Sequence, residues 1–96
     1  MEQDDTREFL QGQIVRHFKR ETADPDGRDY LYEIVGEAED TETGKKLMVY
    51  RAMYGTCGLY ARPLEMFLSE VDHSKYPAIH QKYRFEHLNK NPYLQT

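Results

Sequence analysis

From Tyr30 to Glu39 apolar and polar residues alternate. Tyr30, Tyr32, Ile34, Gly36 and Ala38 share one face of an extended chain, and Leu31, Glu33, Val35, Glu37 and Glu39 share the other. A period of two is that of a β-strand, whose side chains point to opposite faces in turn. The second face turns acidic toward its end, so only its early part can be buried. Residues 46–54 repeat the alternation, with Leu47, Val49, Arg51 and Met53 against Met48, Tyr50, Ala52 and Tyr54. Between the two, Asp40-Thr41-Glu42-Thr43-Gly44-Lys45 reads as a hairpin connection, with Gly44 at the left-handed position of a type I turn plus bulge. Upstream, Gln13-Ile14-Val15-Arg16-His17-Phe18 follows the chain-breaking Gly12 and has the β-branched and aromatic content of a first strand.

The remaining segments are marked by their breakers. Residues 19–29 read as a loop, because Pro25-Asp26-Gly27 combines a fixed φ, a self-capping carboxylate and a glycine. Gly55-Thr56-Cys57-Gly58 is a tight turn before a short fourth strand, Leu59 to Arg62, which Pro63 ends for want of an N–H. Residues 64–68 fit one helical turn with Pro63 at its start. Residues 71–81 are polar and read as loop, and 82–88 alternate well enough for a closing fifth strand. Residues 1–11 form a lead-in, either frayed or a short helical turn begun at Asp5 or Thr6, and 89–96 a loose tail. Five short strands joined by glycine-bearing turns predict a mainly β fold over residues 12–88. The expected form is a small five-stranded, SH3-like, partly open barrel with one short helical turn. The competitor is an α+β roll with a longer helix within 64–82. Phe67 and Val49 are expected in the core.

Ninety-six residues make one domain of modest core. Eight tyrosines against four phenylalanines point to half-buried rings whose hydroxyls reach a polar partner or solvent. The one cysteine, Cys57, leaves no disulfide partner within the chain and no multi-cysteine zinc site. The start Met-Glu-Gln-Asp-Asp is unlike a basic signal peptide and no apolar run is long enough to span a bilayer, which predicts a cytoplasmic protein with no membrane partner. The net charge of −4 is uneven. Residues 1–48 carry seven basic and thirteen acidic side chains and residues 49–96 six and four, leaving −6 and +2. An acidic balance argues against general affinity for phosphate backbones, while the second half leaves room for a local anion site.

Candidate chemistry is sparse. His80 and His87 are seven apart, two turns along a helix or on opposite faces of a strand, so no metal is expected. No phosphate loop, Ser/His/Asp order or spaced carboxylate pair occurs, and neither a cofactor nor catalysis is expected. Cys57 in its turn should be open to a maleimide. Arginine and tyrosine are the informative residues. Tyr60 and Arg62 share a face of the fourth strand, Tyr54 shares one with Tyr50, and Arg51 lies on the opposite face among apolar neighbours. Arg51 there is either a structural clamp, paired with Glu65 or Glu33 or capping carbonyls of the 63–67 turn, or part of a site. In the second reading Arg51, Tyr54, Tyr60 and Arg62 form a shallow groove for a carboxylate, phosphate or nucleobase, a task suited to planar guanidinium forks and amphipathic rings.

Arg16-His17-Phe18-Lys19, Met48-Val49-Tyr50-Arg51-Ala52-Met53-Tyr54-Gly55 and Leu59-Tyr60-Ala61-Arg62-Pro63-Leu64-Glu65-Met66-Phe67 together resemble the small bacterial family called domain of unknown function 1653. Its pattern runs R-H-[FY]-K, Y-x-V, V-Y-R-x-L-Y-G, W-x-R-P-x-x-M-F. The resemblance implies a shorter link between the first two strands, so residues 19–29 look like a surface insertion, and Cys57 departs from the family's acidic or polar turn residue. It brings no activity with it. The functional expectation is therefore a binding module for a protein segment or a nucleotide-like anion. The rivals are a non-specific RNA or single-stranded nucleic-acid binder and a small-molecule enzyme.

Overall fold

The alternation of residues 46–54 builds β3, Lys46–Ala52, on which the rest of the sheet is assembled. In the computed structural model, which describes residues 7–88, β3 pairs with β2, Leu31–Glu39, on one side and with β4, Leu59–Pro63, on the other. The first strand, β1, Ile14–His17, pairs with the early part of β2, and β5, Phe85–His87, pairs with β1. All pairings are antiparallel and the order across the sheet is β4-β3-β2-β1-β5. The β2–β3 hairpin closes as its composition predicts. The Gly44 N–H donates to the Asp40 carbonyl at 2.7 Å with Gly44 at φ 73°, a conformation that costs glycine nothing.

One side of the curved sheet holds the core. Val15, Ile34, Met48 and Phe85 lie on it almost fully buried, with Tyr32, Tyr50 and Ala52 beside them. Phe67 covers them from α1, Leu64–Phe67, its ring stacked on Phe85 at 4.3 Å and 9°. The single helical turn starts after Pro63 as expected, and the chain beyond it turns back instead of extending the helix. The Val71 N–H donates to the Lys82 carbonyl at 2.8 Å, which rules out the longer helix of the α+β alternative.

Four expectations are corrected. The sheet is not closed into a barrel: among the described residues β4 and β5 are outer strands that do not pair. Across that gap the Arg62 guanidinium of β4 lies 5.9 Å from the Phe85 ring centre of β5. The fifth strand is three residues long, because the Glu86 carboxylate accepts the Lys82 and Tyr83 N–H groups (3.1 and 3.0 Å) and holds that stretch as a turn. Val49 is half-buried, since it lies on the outer side of the sheet opposite Ala61. The faces of β2 also change partway. The register slips between Ile34 and Gly36, leaving Val35 as the extra residue of a bulge with Gly36 at φ 154°, and Glu37 ends up opposite Met48. A one-residue slip moves every later side chain to the other face.

Residues 19–29 do turn at Asp24–Gly27, where the Gly27 N–H donates to the Asp24 carbonyl at 3.0 Å. The start of that segment is no free loop, however. A 3₁₀ turn, Phe18–Thr22, buries Phe18 against Tyr76 and aims the Glu21 carboxylate at the His80 and Gln81 N–H groups, which bind it (2.9 Å from His80). The lead-in also contributes to packing. Phe9 is buried against Phe67 and stacked on His87 at 4.6 Å, and Arg7 donates to the Phe85 and Leu68 carbonyls at 3.1 and 2.7 Å. The possible turn at Asp5 or Thr6 and the tail 89–96 lie outside the described residues.

Candidate functional site

The inner face of the sheet has a second end, away from Phe9, where tyrosines replace aliphatic residues. Pairing of β3 with β4 sets Tyr50 opposite Tyr60 and Met48 opposite Arg62, so Tyr60 and Arg62 share this inner side as their spacing predicts. The Arg62 Nε donates to the Tyr50 hydroxyl at 3.1 Å, and its guanidinium lies 5.9 Å from the Phe85 ring centre. Tyr60 packs its ring 6.0 Å from Tyr50 and remains 49% exposed, which makes it a surface ring and not a core one.

Tyr54, just past β3, bends into the same cluster. Its hydroxyl and that of Tyr32 are 2.7 Å apart, and its ring lies 5.7 Å from Tyr30. Burial, and then the hydrogen bond with Tyr54, push the Tyr32 phenol well above its ordinary range, so its hydroxyl stays protonated. Tyr30 adopts φ 66° to place its ring there, an uncommon conformation for a bulky residue.

His17 closes the cluster from β1, opposite Phe85 on β5. Its Nδ1 accepts the Lys19 N–H at 3.1 Å, so the neutral ring carries its proton on Nε2. Burial lowers its pKa to about 4, helped by the positive charges of Arg84, Arg62 and Lys19. Three cations therefore act on one aromatic-lined spot. Among the described residues no carboxylate pairs with Arg62 or Arg84; the Arg84 Nε donates instead to the Ser69 hydroxyl at 3.2 Å.

Of the four residues singled out from the sequence, Tyr54, Tyr60 and Arg62 come together, and Arg51 does not join them. It projects from the outer side of β3, exposed, between Glu33 on β2 and Leu59 on β4. Sequence reasoning missed His17, Tyr30, Tyr32 and Arg84. The run Arg16–Lys19 signals local positive charge, but only the β1–β5 pairing carries His17 to Phe85 and Arg84, and no local pattern encodes it. His80 and His87 have separate tasks: the His80 N–H binds Glu21, and the His87 Nε2 donates to the Glu8 carbonyl at 2.7 Å. Among the described residues no group of three or more His, Cys, Asp or Glu side chains could hold a metal ion, and no helix is long and apolar enough to cross a membrane. Cys57 is exposed, in a left-handed turn at φ 57°.

Residues 13–87 match the family model described as protein of unknown function (DUF1653). The chain belongs to the DUF1653 family. The matched span contains all five strands, α1 and each residue of the Tyr/Arg cluster, whereas Arg7 and Phe9 lie before it. No curated protein and no solved structure matches the chain.

Proposed function

We propose that this DUF1653 domain is a cytoplasmic binding module, not an enzyme, that recognises an anionic group joined to a flat or apolar moiety at Tyr50, Tyr54, Tyr60 and Arg62. The anion is the carboxylate of a protein segment or the phosphate of a nucleotide-like ligand. The observation that carries the reading is the meeting of Arg62 and Arg84 at the His17 aromatic cluster, neither paired with a carboxylate among the described residues. An arginine already held at Nε by a tyrosine presents its remaining N–H groups in a fixed orientation, which favours a bidentate oxyanion. The exposed Tyr60 ring offers a platform for a flat or apolar group beside it. An SH3-like description of the sheet draws support from the strand order, the helical turn between β4 and β5, and the bulge in β2. The free Cys57 accords with a reducing compartment.

Chemical-shift titration with AMP, inorganic phosphate and a short acidic peptide tests the reading. Shifts should centre on Tyr60, Arg62 and His17, and Arg62→Ala should remove them. Thermal melts of Arg62→Ala and Tyr60→Ala run beside the parent serve as the control, because a change within about 1 kcal/mol is expected of partly exposed positions. A collapse in melting temperature would assign both residues to architecture and end the proposal.

A further inference from the structure

The outer edge of the sheet at β4 carries a second consequence, which rests on the reading of Arg62 as an anion-binding residue and narrows it to one class of partner. Across the β3–β4 turn the Ala52 N–H donates to the Gly58 carbonyl at 2.9 Å. Antiparallel pairing alternates, so Tyr60 and Arg62 turn their backbone groups toward β3. The N–H and C=O of Leu59 and of Ala61 must then point away from the sheet. No segment among the described residues pairs with that side. The edge is open, with Leu59 55% and Tyr60 49% exposed, and Ala61 exposed between them.

Sheet edges of this kind are usually blunted, and here Pro63 stops the ladder at one end only. The side chains that flank the open backbone differ by face. On the outer side are Leu59 and Ala61, both apolar, with Arg51 on β3 already facing Glu33. On the inner side are Tyr60 and Arg62, with no carboxylate on β4 and, among the described residues, none paired with Arg62. An added strand would therefore meet backbone donors and acceptors, a cation and a ring on one face, and small apolar groups on the other.

We propose that β4 receives an extended acidic peptide segment of a partner protein as a sixth strand, with a carboxylate side chain of that segment on Arg62 and an apolar or aromatic one against Tyr60. Main-chain hydrogen bonds to Leu59 and Ala61 supply affinity, and the alternate side chains supply selectivity. A free nucleotide could use Arg62 and Tyr60 but has no means of pairing with the strand edge.

The probe is an acetylated, amidated heptapeptide alternating valine and glutamate around a central tyrosine, compared with its N-methylated form, AMP and inorganic phosphate. Amide hydrogen exchange and chemical shifts of the whole chain are the readouts. The expected result is new protection of the Leu59 and Ala61 amides with the plain peptide alone. Arg62→Ala should weaken it by about tenfold or more, the effect of losing one charge-assisted hydrogen bond. Ala61→Pro, which removes an outward N–H at an edge position that tolerates proline, should abolish binding while leaving the melting temperature unchanged. Equal binding of the N-methylated peptide, or binding without protection at Leu59 and Ala61, overturns the proposal. So does protection of those amides in a dimer formed without peptide, which would make a second copy the occupant. If AMP or phosphate shifts Tyr60 and Arg62 while the peptide does nothing, strand addition falls and the anion site stands. If no probe shifts them, both fall.

Discussion

The two ends of the inner sheet face are built from the same strands and behave as different materials. At one end Phe9, Phe67, Met48, Leu64 and Leu68 come together with no side-chain oxygen or nitrogen among them, held from outside by the Arg7 clamp. At the other, Tyr30, Tyr32, Tyr50, Tyr54 and Tyr60 carry hydroxyls, and His17 and Arg62 bring nitrogen donors. The apolar side chains of the first end make no hydrogen bonds of their own. The second already spends some of its polar groups on each other, Tyr32 on Tyr54 and Arg62 on Tyr50, while the Tyr60 ring remains exposed. On the proposed reading, stability and recognition are separated along one face by a change from phenylalanine and aliphatic residues to tyrosine and arginine.

Removing the largest buried side chain at the dry end should expose the difference most sharply. Phe67 touches Phe9, Tyr50 and Phe85 and has no exposure. Phe67→Ala should cost about 3–5 kcal/mol, a large part of a small domain's stability. Denaturant melts would show a lower midpoint, and a loss below about 1 kcal/mol would mean that the dry end does not hold the fold together.

Much of this separation is written in the chain, and some of it is not. Period-two patterning marks β2 and β3, and Gly44 and Pro63 mark where the chain must turn, because those signals are local. The side of β3 that is buried was not legible, since Leu47, Val49 and Met53 are as apolar as Met48, Tyr50 and Ala52. Which side wins depends on where Phe67 and Phe9 dock, a non-local matter. The bulge at Val35 has no cue beyond Gly36, and it reverses the parity of everything after it. At the site, the common face of Tyr60 and Arg62 follows from their spacing, whereas the approach of His17 and Arg84 depends on β1 meeting β5, about 70 residues apart in sequence.

Acid should loosen the wet end before the dry one. Folded His17 resists protonation, with a pKa of about 4 against 6.5 in the unfolded chain, burial being the main cause. Between those values the unfolded state binds more protons. The stability due to neutral His17 is therefore complete above about pH 6.5, is lost as pH falls toward 4, and changes no further below that. The upper bound is about 3 kcal/mol, reduced by the solvent that reaches the half-buried ring. His17→Asn keeps an acceptor for the Lys19 N–H. Its stability, measured by denaturant melts between pH 7 and 4.5, should fall less than the parent's. Parallel curves would show that His17 is no part of the difference between the two ends.

The smallest effect belongs to a single hydroxyl. Tyr54→Phe keeps the ring against Tyr30 and Tyr32 and deletes only the partner of the Tyr32 hydroxyl. At the dry end an orphaned polar group would cost its full desolvation, but here Tyr54 is only half-buried and water can reach the vacated position. The expected loss is about 1 kcal/mol, at the lower end of the range for a broken side-chain hydrogen bond. A second readout keeps the result specific. The hydrogen bond to Tyr54 is the second cause of the raised Tyr32 pKa, after burial, so the alkaline ultraviolet titration of Tyr32 should move downward in Tyr54→Phe while remaining above the ordinary phenol range. A loss of several kcal/mol with no change in that titration would show the tyrosine end to be as closed as the phenylalanine end, and the division between them would disappear.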